Sequence, residues 1–266
     1  MEVAIFKDSK LASQAAANLI ARTMIERSGK LVLGLATGST PLDTYSELVR
    51  LHRNGKLSFK SVRAFNLDEY VGLSGNSPHS YKTFMQTHLF SKVDIDPRHC
   101  HIPDGKSLDP RGECLRYEES IRSAGGIDLQ LLGLGQDGHL GFNEPSSSLS
   151  SRTRLKTLTE STRRTNAVHF GSHDEVPHHV LTMGLGTIME ARRCVLLAFG
   201  EKKADAVARM VEGPLGASHP ASILQMHQNC TVILDETSAS QLKRQDYYRE
   251  VFSGKPEWQR WDLPLD

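Results

Sequence analysis

No uninterrupted apolar run in this sequence approaches the roughly 20 residues that a helix needs to span a bilayer, so no membrane segment is expected. The stretch Met1 to Lys7 lacks a charged-then-apolar leader pattern, and a cytoplasmic protein is the expectation. An excess of one charge is missing too: 32 Lys and Arg stand against 31 Asp and Glu, a formal net charge of +1. Neither nucleic acid nor an anionic membrane is therefore indicated as a partner, and any anionic ligand has to be met by a local site. Cysteine is sparse, and Cys100, Cys114, Cys194 and Cys230 form no C-x-x-C pair. That suits reduced thiols better than a disulfide framework or a zinc knot. The cluster His99-Cys100-His101 tempts a metal reading, but successive residues seldom converge on one ion and no second ligand pair stands nearby. No metal is expected. A G-x-x-x-x-G-K-[ST] phosphate loop is absent.

What remains is an ordinary globular composition, 38% hydrophobic and 24% charged over 266 residues, enough for a substantial core. Helical periodicity at Ser9 to Arg27 opens the chain, followed by a compact apolar run at Leu31 to Ala36 and a second helical pattern from Leu42 to Leu51. Strand-like runs recur at Val62 to Leu67, Ile127 to Leu134, Cys194 to Phe199 and Cys230 to Asp235. Helical patterns fall at Tyr81 to Phe90, Arg111 to Arg122, Val176 to Glu190 and near the C-terminus, with a Pro- and Asp-rich connection at Asp94 to Pro110. The alternation predicts an α/β, Rossmann-like fold: a mostly parallel open sheet with helices on both faces, in a single domain over 1–266. There are no repeats, low-complexity tracts or interdomain linkers.

Open α/β sheets place ligands at the carboxyl ends of their strands, and polar residues follow the predicted strands here. The run Leu131 to Pro145 sets Asp137, His139 and Glu144 among four glycines. A histidine flanked by carboxylates can be oriented and have its charge tuned, which reads as acid/base chemistry; a Gly-rich loop with a surface histidine is the plainer reading. Gly133, Gly135 and Gly138 match the spacing G-x-G-x-x-G, but the chain then enters Asn143-Glu144-Pro145 and a serine-rich stretch instead of a helix. Dinucleotide binding is not favoured. Thr37-Gly38-Ser39-Thr40 precedes Pro41, with Thr40 suited to the N-cap and Pro41 to the first helical position. That combination describes either a phosphate cradle or a plain capped turn. Asp68 and Glu69 follow the next strand, where such a pair is more often a helix cap or solvated turn, unless neighbouring loops also carry chemistry. Lys203 reaches the same edge by strand position, although lysines at a helix start are usually just solvated. The basic and hydroxyl-rich stretch Ser147, Arg152, Arg154, Lys156 and Thr157 reads on its own as a solvated edge strand.

Taken together, Leu35-Ala36-Thr37-Gly38-Ser39-Thr40-Pro41, Phe65-Asn66-Leu67-Asp68-Glu69-Tyr70-Val71-Gly72-Leu73 and Gly135 to Pro145 resemble the glucosamine-6-phosphate deaminase family. The likeness continues through Ser151 to Thr159 and Gly184-Leu185-Gly186-Thr187 to Asp235-Glu236. It implies conversion of D-glucosamine 6-phosphate and water to D-fructose 6-phosphate and ammonia, without cofactor or metal, by a cytoplasmic homo-oligomer, in some members a hexamer. His139, set by Asp137 and Glu144, matches the ring-opening group, and Asp68 the carboxylate that moves a proton between C2 and C1. Thr37 to Thr40 and Lys203 match the phosphate anchors. Ser147, Arg154 and Lys156, with Thr157 beside them, match residues that bind the activator N-acetylglucosamine 6-phosphate in some hexameric members. One anchor departs: Asn166-Ala167-Val168 stands where the family reads Asn-Ala-Arg or Asn-Ser-Arg, with Arg163, Arg164 and His169 as nearby substitutes. The alternatives on this fold are a galactosamine-6-phosphate deaminase/isomerase, a 6-phosphogluconolactonase, against which the intact Asp68 argues, and a non-enzymatic sugar-phosphate sensor. No basic helix-turn-helix segment supports a DNA-reading sensor.

Overall fold

The computed structural model describes residues 1–28, 30–74, 76–167 and 170–265. Short apolar runs pair into a seven-stranded sheet made of β1 (Glu2–Phe6), β2 (Val32–Leu35), β3 (Arg63–Asn66), β5 (Cys100–His101), β6 (Leu129–Gly133), β9 (Arg193–Ala198) and β10 (Cys230–Asp235). Their order is β1-β10-β9-β6-β2-β3-β5, and every recorded pairing in it is parallel. Strands β2 and β10 are buried at every position, as strands covered on both faces must be. A second sheet holds β4 (Asp68–Tyr70), β8 (His179–Thr182) and β7 (Arg154–Thr157) in the order β4-β8-β7, antiparallel throughout.

Helices cover both faces of the larger sheet. On one face α1 (Ser9–Glu26), α2 (Leu42–Arg53) and α3 (Tyr81–His88) pack Leu19, Leu48 and Met85 against Leu33, Leu35 and Leu131. On the other, α4 (Pro110–Ser123), α6 (Leu185–Met189) and α7 (Ala204–Glu212) bring Tyr117, Ile188 and Met210 onto Phe65, Leu132, Leu196 and Val232. Short α5 (Glu160–Asn166) follows β7, and α8 (Gln245–Ser253) lies beside β1. The helix ends are set by local chemistry: Asp8 accepts from Leu11 N at 2.8 Å to start α1, while Asp109 accepts from Gly112 N at 2.9 Å with Pro110 in the first turn of α4.

Three sequence expectations are corrected. The chain opens with the strand β1 before its first helix, pairing with β10 from Glu2↔Thr231 to Phe6↔Asp235; five residues were too few to stand out beside the long Ala-rich helix. The helix expected over 176–190 is a strand, β8, followed by the five-residue α6. Val176, Val180 and Met183 sit at helical spacing, but β-strand pairing with β4 and β7 decides the outcome. Thr40 is not the N-cap: Pro41 occupies that position, with no side-chain capping bond, and α2 begins at Leu42. Among the described residues, no helix is long and apolar enough to cross a membrane.

Candidate active site

Four strands adjacent in the large sheet, β9-β6-β2-β3, end at the same edge and deliver all four predicted segments to it. Thr37 to Thr40 leave β2, Asp68 follows β3 across one residue, Asp137 and His139 lie beyond β6, and Lys203 lies beyond β9. Together they line one cavity of about 760 Å³, within the usual range for a small-molecule site. Tyr70, Tyr81, Phe142 and Phe170 supply aromatic wall, and Ser161, Thr162, Thr165 and Asn166 of the α5 segment line it as well. Tyr70, Phe142 and Asn166 stand in the quoted motifs without a role, whereas Tyr81, Phe170, Ser161, Thr162 and Thr165 were not singled out, since isolated aromatics and hydroxyls carry no spacing signal.

Asp68 and Glu69 divide the two readings between them. Glu69 is a helix cap: its carboxylate accepts from Tyr81 N and Lys82 N, both at 3.0 Å, and from Tyr70 N at 2.8 Å. Asp68 instead faces the cavity, only 4% exposed, and lies opposite Thr182 across the β4–β8 pair. Burial, with the neighbouring Glu69 charge, pushes its carboxyl pKa up to about 8. The loop after β6 is pressed close: a Cβ on Gly141 would stand 3.2 Å from Asp68 Oδ2 and 3.1 Å from Thr182 Oγ1, and its φ of +56° also favours glycine.

Asp137 and His139 form the expected pair, with Oδ1 2.6 Å from Nδ1. The imidazole so close to it, with the His139 N–H that donates to the same Oδ1 at 3.2 Å, holds the Asp137 carboxyl below its ordinary range, although the ring N–H is not aligned for a regular hydrogen bond. With Nδ1 set against a carboxylate, Nε2 is the nitrogen left to exchange a proton with a ligand. Glu144 does not join them. It is 8% exposed, accepts from Thr162 Oγ1, and lies 3.5 Å from Thr159 Oγ1. In this arrangement it ties the loop to α5 instead of orienting the imidazole.

Lys203 is the only Lys or Arg among the described residues lining the cavity. Burial lowers its pKa, and Asp137 opposes that shift. Thr37 and Tyr81 line the same cavity, and Gly38 between β2 and α2 adopts a φ of +95°. Val168 and His169 lie outside the described residues. Arg163 does not replace the family arginine, because it is buried and its guanidinium is held by the Val176 and His173 carbonyls. Arg164 is 74% exposed and pairs with Glu160. Of the stretch after the loop only Arg154–Thr157 is strand, β7 at the sheet edge. Ser147 lies before it and is buried, and Arg154 donates to Asn143 Oδ1 at 2.8 Å and to Arg152 O at 3.3 Å. Arg152 instead clamps Glu118 and Glu190.

Residues 7–233 match the family described as glucosamine-6-phosphate isomerases/6-phosphogluconolactonase. A glucosamine-6-phosphate deaminase from Arthrobacter sp. (strain FB24) is 52% identical over 259 residues, covering 97% of this chain and 99% of that protein. One from Rhodococcus opacus (strain B4) is 55% identical over 233 residues, 88% of this chain and 90% of its own. Among solved structures, a monomeric glucosamine-6-phosphate deaminase of the NagB superfamily superimposes with a TM-score of 0.88 at 45% identity, covering 91% of this chain and all of that one. A 6-phosphogluconolactonase from Trypanosoma brucei shares the fold alone, at TM-score 0.73, 23% identity and coverage of 91% and 98%.

Proposed function

The chain belongs to the glucosamine-6-phosphate isomerase/6-phosphogluconolactonase family, and we propose that it converts D-glucosamine 6-phosphate and water to D-fructose 6-phosphate and ammonia. The observation that carries this reading is the buried Asp68 carboxyl, facing a cavity shared with the Asp137–His139 pair and Lys203. Lys203 and the Thr37–Thr40 loop hold the phosphate, and His139 moves a proton between O1 and the ring oxygen to open the pyranose. Asp68 takes the proton from C2 of the open aldose, giving an enolamine, and returns a proton at C1. C2 is then an imine carbon; water adds to it and ammonia departs. These steps are proton transfers and a hydration, so no cofactor is invoked. One base serving both C2 and C1 is a task that lactone hydrolysis does not have, which places the lactonase second. Ammonia release from glucosamine 6-phosphate, compared with galactosamine 6-phosphate, and hydrolysis of 6-phosphogluconolactone test the reading together. Lactone hydrolysis without ammonia release from either amino sugar would overturn it.

Finer features belong to the same proposal. We treat residues 1–266 as one catalytic domain, working in the cytoplasm. A homo-oligomer, up to a hexamer, is retained against the single-chain alternative set by the relative described as monomeric, and sedimentation decides between them. Ser147, Arg154, Lys156 and Thr157 are proposed as a site for N-acetylglucosamine 6-phosphate. Its support is the half-buried Arg154, whose hydrogen-bond partners are an amide and a carbonyl oxygen and include no carboxylate among the described residues.

A further inference from the structure

His219 takes no part in the proposed reaction, yet it touches both halves of its machinery. It is 6% exposed and precedes the 3-10 turn at Pro220–Met226. Its Nε2 lies 2.9 Å from the carbonyl oxygen of Ala206, in the first turn of α7, the helix that starts immediately after Lys203. A carbonyl only accepts, so Nε2 carries the proton. Burial lowers the imidazole pKa and keeps the ring neutral at neutral pH. The same ring lies under the catalytic loop: a Cβ on Gly138, between Asp137 and His139, would stand 2.2 Å from its Cε1. Ala221 N then donates to Gly138 O at 2.9 Å, tying the segment after His219 to the same residue. Gly138 has a φ of +84° as well, so the loop can rest on the ring only with glycine there.

We infer that His219 is a positioning residue that fixes the distance between the Lys203 phosphate anchor and the Asp137–His139 pair. The inference rests on the deaminase reading above. In a hexose 6-phosphate the ring oxygen and the phosphate are joined only through C5, C6 and O6. The group that protonates the ring oxygen and the cation that holds the phosphate must therefore keep a fixed separation. A misplacement of about 1 Å can cost about 100-fold in rate. Nothing in the covalent chain fixes that separation locally, because Lys203 and His139 follow different strands. His219 spans the gap with one hydrogen bond to the α7 side and one packed face to the loop side.

The test uses the whole chain with His219→Phe, His219→Asn and His219→Gln. Phenylalanine keeps a ring but loses the donor, asparagine is too short to reach Ala206 O, and glutamine can still donate. The Phe and Asn variants should lose about 10- to 100-fold in kcat/KM on the cyclic sugar phosphate, mostly in kcat, and Gln should stay within about threefold of wild type. In a Lys203→Ala background the loss should largely disappear, because the separation no longer matters once the anchor is gone. Should Phe fail to fold, the contrast of Asn with Gln carries the test. Equal rates in all folded variants, or the same loss with and without Lys203, would overturn the inference and assign His219 a merely structural role.

A readout without turnover keeps the two readings apart. Inorganic phosphate at saturation should shift the His139 ring resonance in wild type, and this shift should fall by at least half in the Asn variant. If wild type releases no ammonia but the shift behaves this way, the positioning role stands and the deaminase reading falls. If ammonia is released while wild type shows no shift, or the Asn variant shows an equal one, the positioning role falls alone.

Discussion

Replacing Asp68 by asparagine should strengthen the protein while it disables the chemistry. Burial and the Glu69 charge lift the Asp68 pKa from 3.8 to about 8. At about 1.4 kcal/mol per pH unit that gap corresponds to at most about 6 kcal/mol of disfavoured ionisation, and relaxation of the site should leave a few kcal/mol of it. Because the folded pKa lies above the unfolded one, the folded state holds a proton that the unfolded chain has released. Asp68's contribution to stability is therefore fully present below about pH 4 and is lost as pH rises through about 8. Asparagine never ionises, so the variant should be little different from wild type near pH 4 and more stable by about 2 to 5 kcal/mol at pH 9. Urea unfolding of both proteins across that range measures the difference, and the contributions of the other carboxylates cancel between them. The same carboxyl should appear in turnover: wild-type kcat/KM should climb with pH and level off above about 8, as the proposed base ionises. Glu69→Gln removes the like charge and should move that midpoint down. Asp68→Asn should cost about 100-fold or more in kcat/KM. A stability difference between wild type and Asp68→Asn that does not grow from pH 4 to pH 9 would refute the reasoning, since Asp68 would then not be held protonated by its surroundings.

His139→Gln should slow the cyclic sugar phosphate by about 100-fold and an open-chain analogue far less; equal losses on both would remove the ring-opening role. Lys203→Ala and Thr40→Ala should mainly raise KM, by about 10-fold each, because an anchor binds ground and transition states alike. At Val168, outside the described residues, arginine should lower KM for the sugar phosphate, and a higher KM would show that the family alignment misleads there. Initial rates with and without N-acetylglucosamine 6-phosphate should differ in wild type and coincide in Lys156→Ala; superimposable curves in both proteins would remove the activator site.

The large sheet was legible because its strands are short apolar runs separated by long patterned helices, and the edge carrying the chemistry follows from that alternation alone. Asp68, His139 and Lys203 could be placed at one edge from their positions after strands, and the cavity that they share bears this out. Of the small sheet only the edge strand at Arg154–Thr157 was legible, in the basic and hydroxyl-rich stretch; its pairing was not. Its members Asp68–Tyr70, Arg154–Thr157 and His179–Thr182 are three or four residues long, and the pairing of the first with the last joins segments over a hundred residues apart, which no local window can see. Glu144 was misplaced for a related reason. Proximity to His139 in sequence suggested contact, whereas the loop turns through Gly141 and delivers the carboxylate to Thr159 and Thr162. His219 gave no signal at all, since its role depends on where Gly138 and Ala206 meet in space.

The small sheet is also what encloses the proposed base at a polar strand end. Leu67 belongs to both sheets through its backbone: its N–H donates to Leu35 O at 3.1 Å on β2, and its carbonyl accepts from Met183 N at 2.7 Å, just beyond β8. The next residue, Asp68, therefore emerges where two sheets converge. Thr182 lies across the strand pair from it and Gly141 lies against its carboxylate. Had the chain left β3 into an ordinary loop, the carboxylate would be solvated, ionised through the neutral range and a weak base. Enclosure by β8 and the β6 loop raises its pKa toward the working pH, where a proton can be both taken and returned. Glu69 adds to the shift without entering the cavity, because the N-terminal amides of α3 hold its carboxylate in place. The tuning of the proposed base thus follows from backbone connectivity at Leu67 and from a helix cap one residue away. Substitutions that loosen either should change the pH dependence of turnover before they change binding of the phosphate.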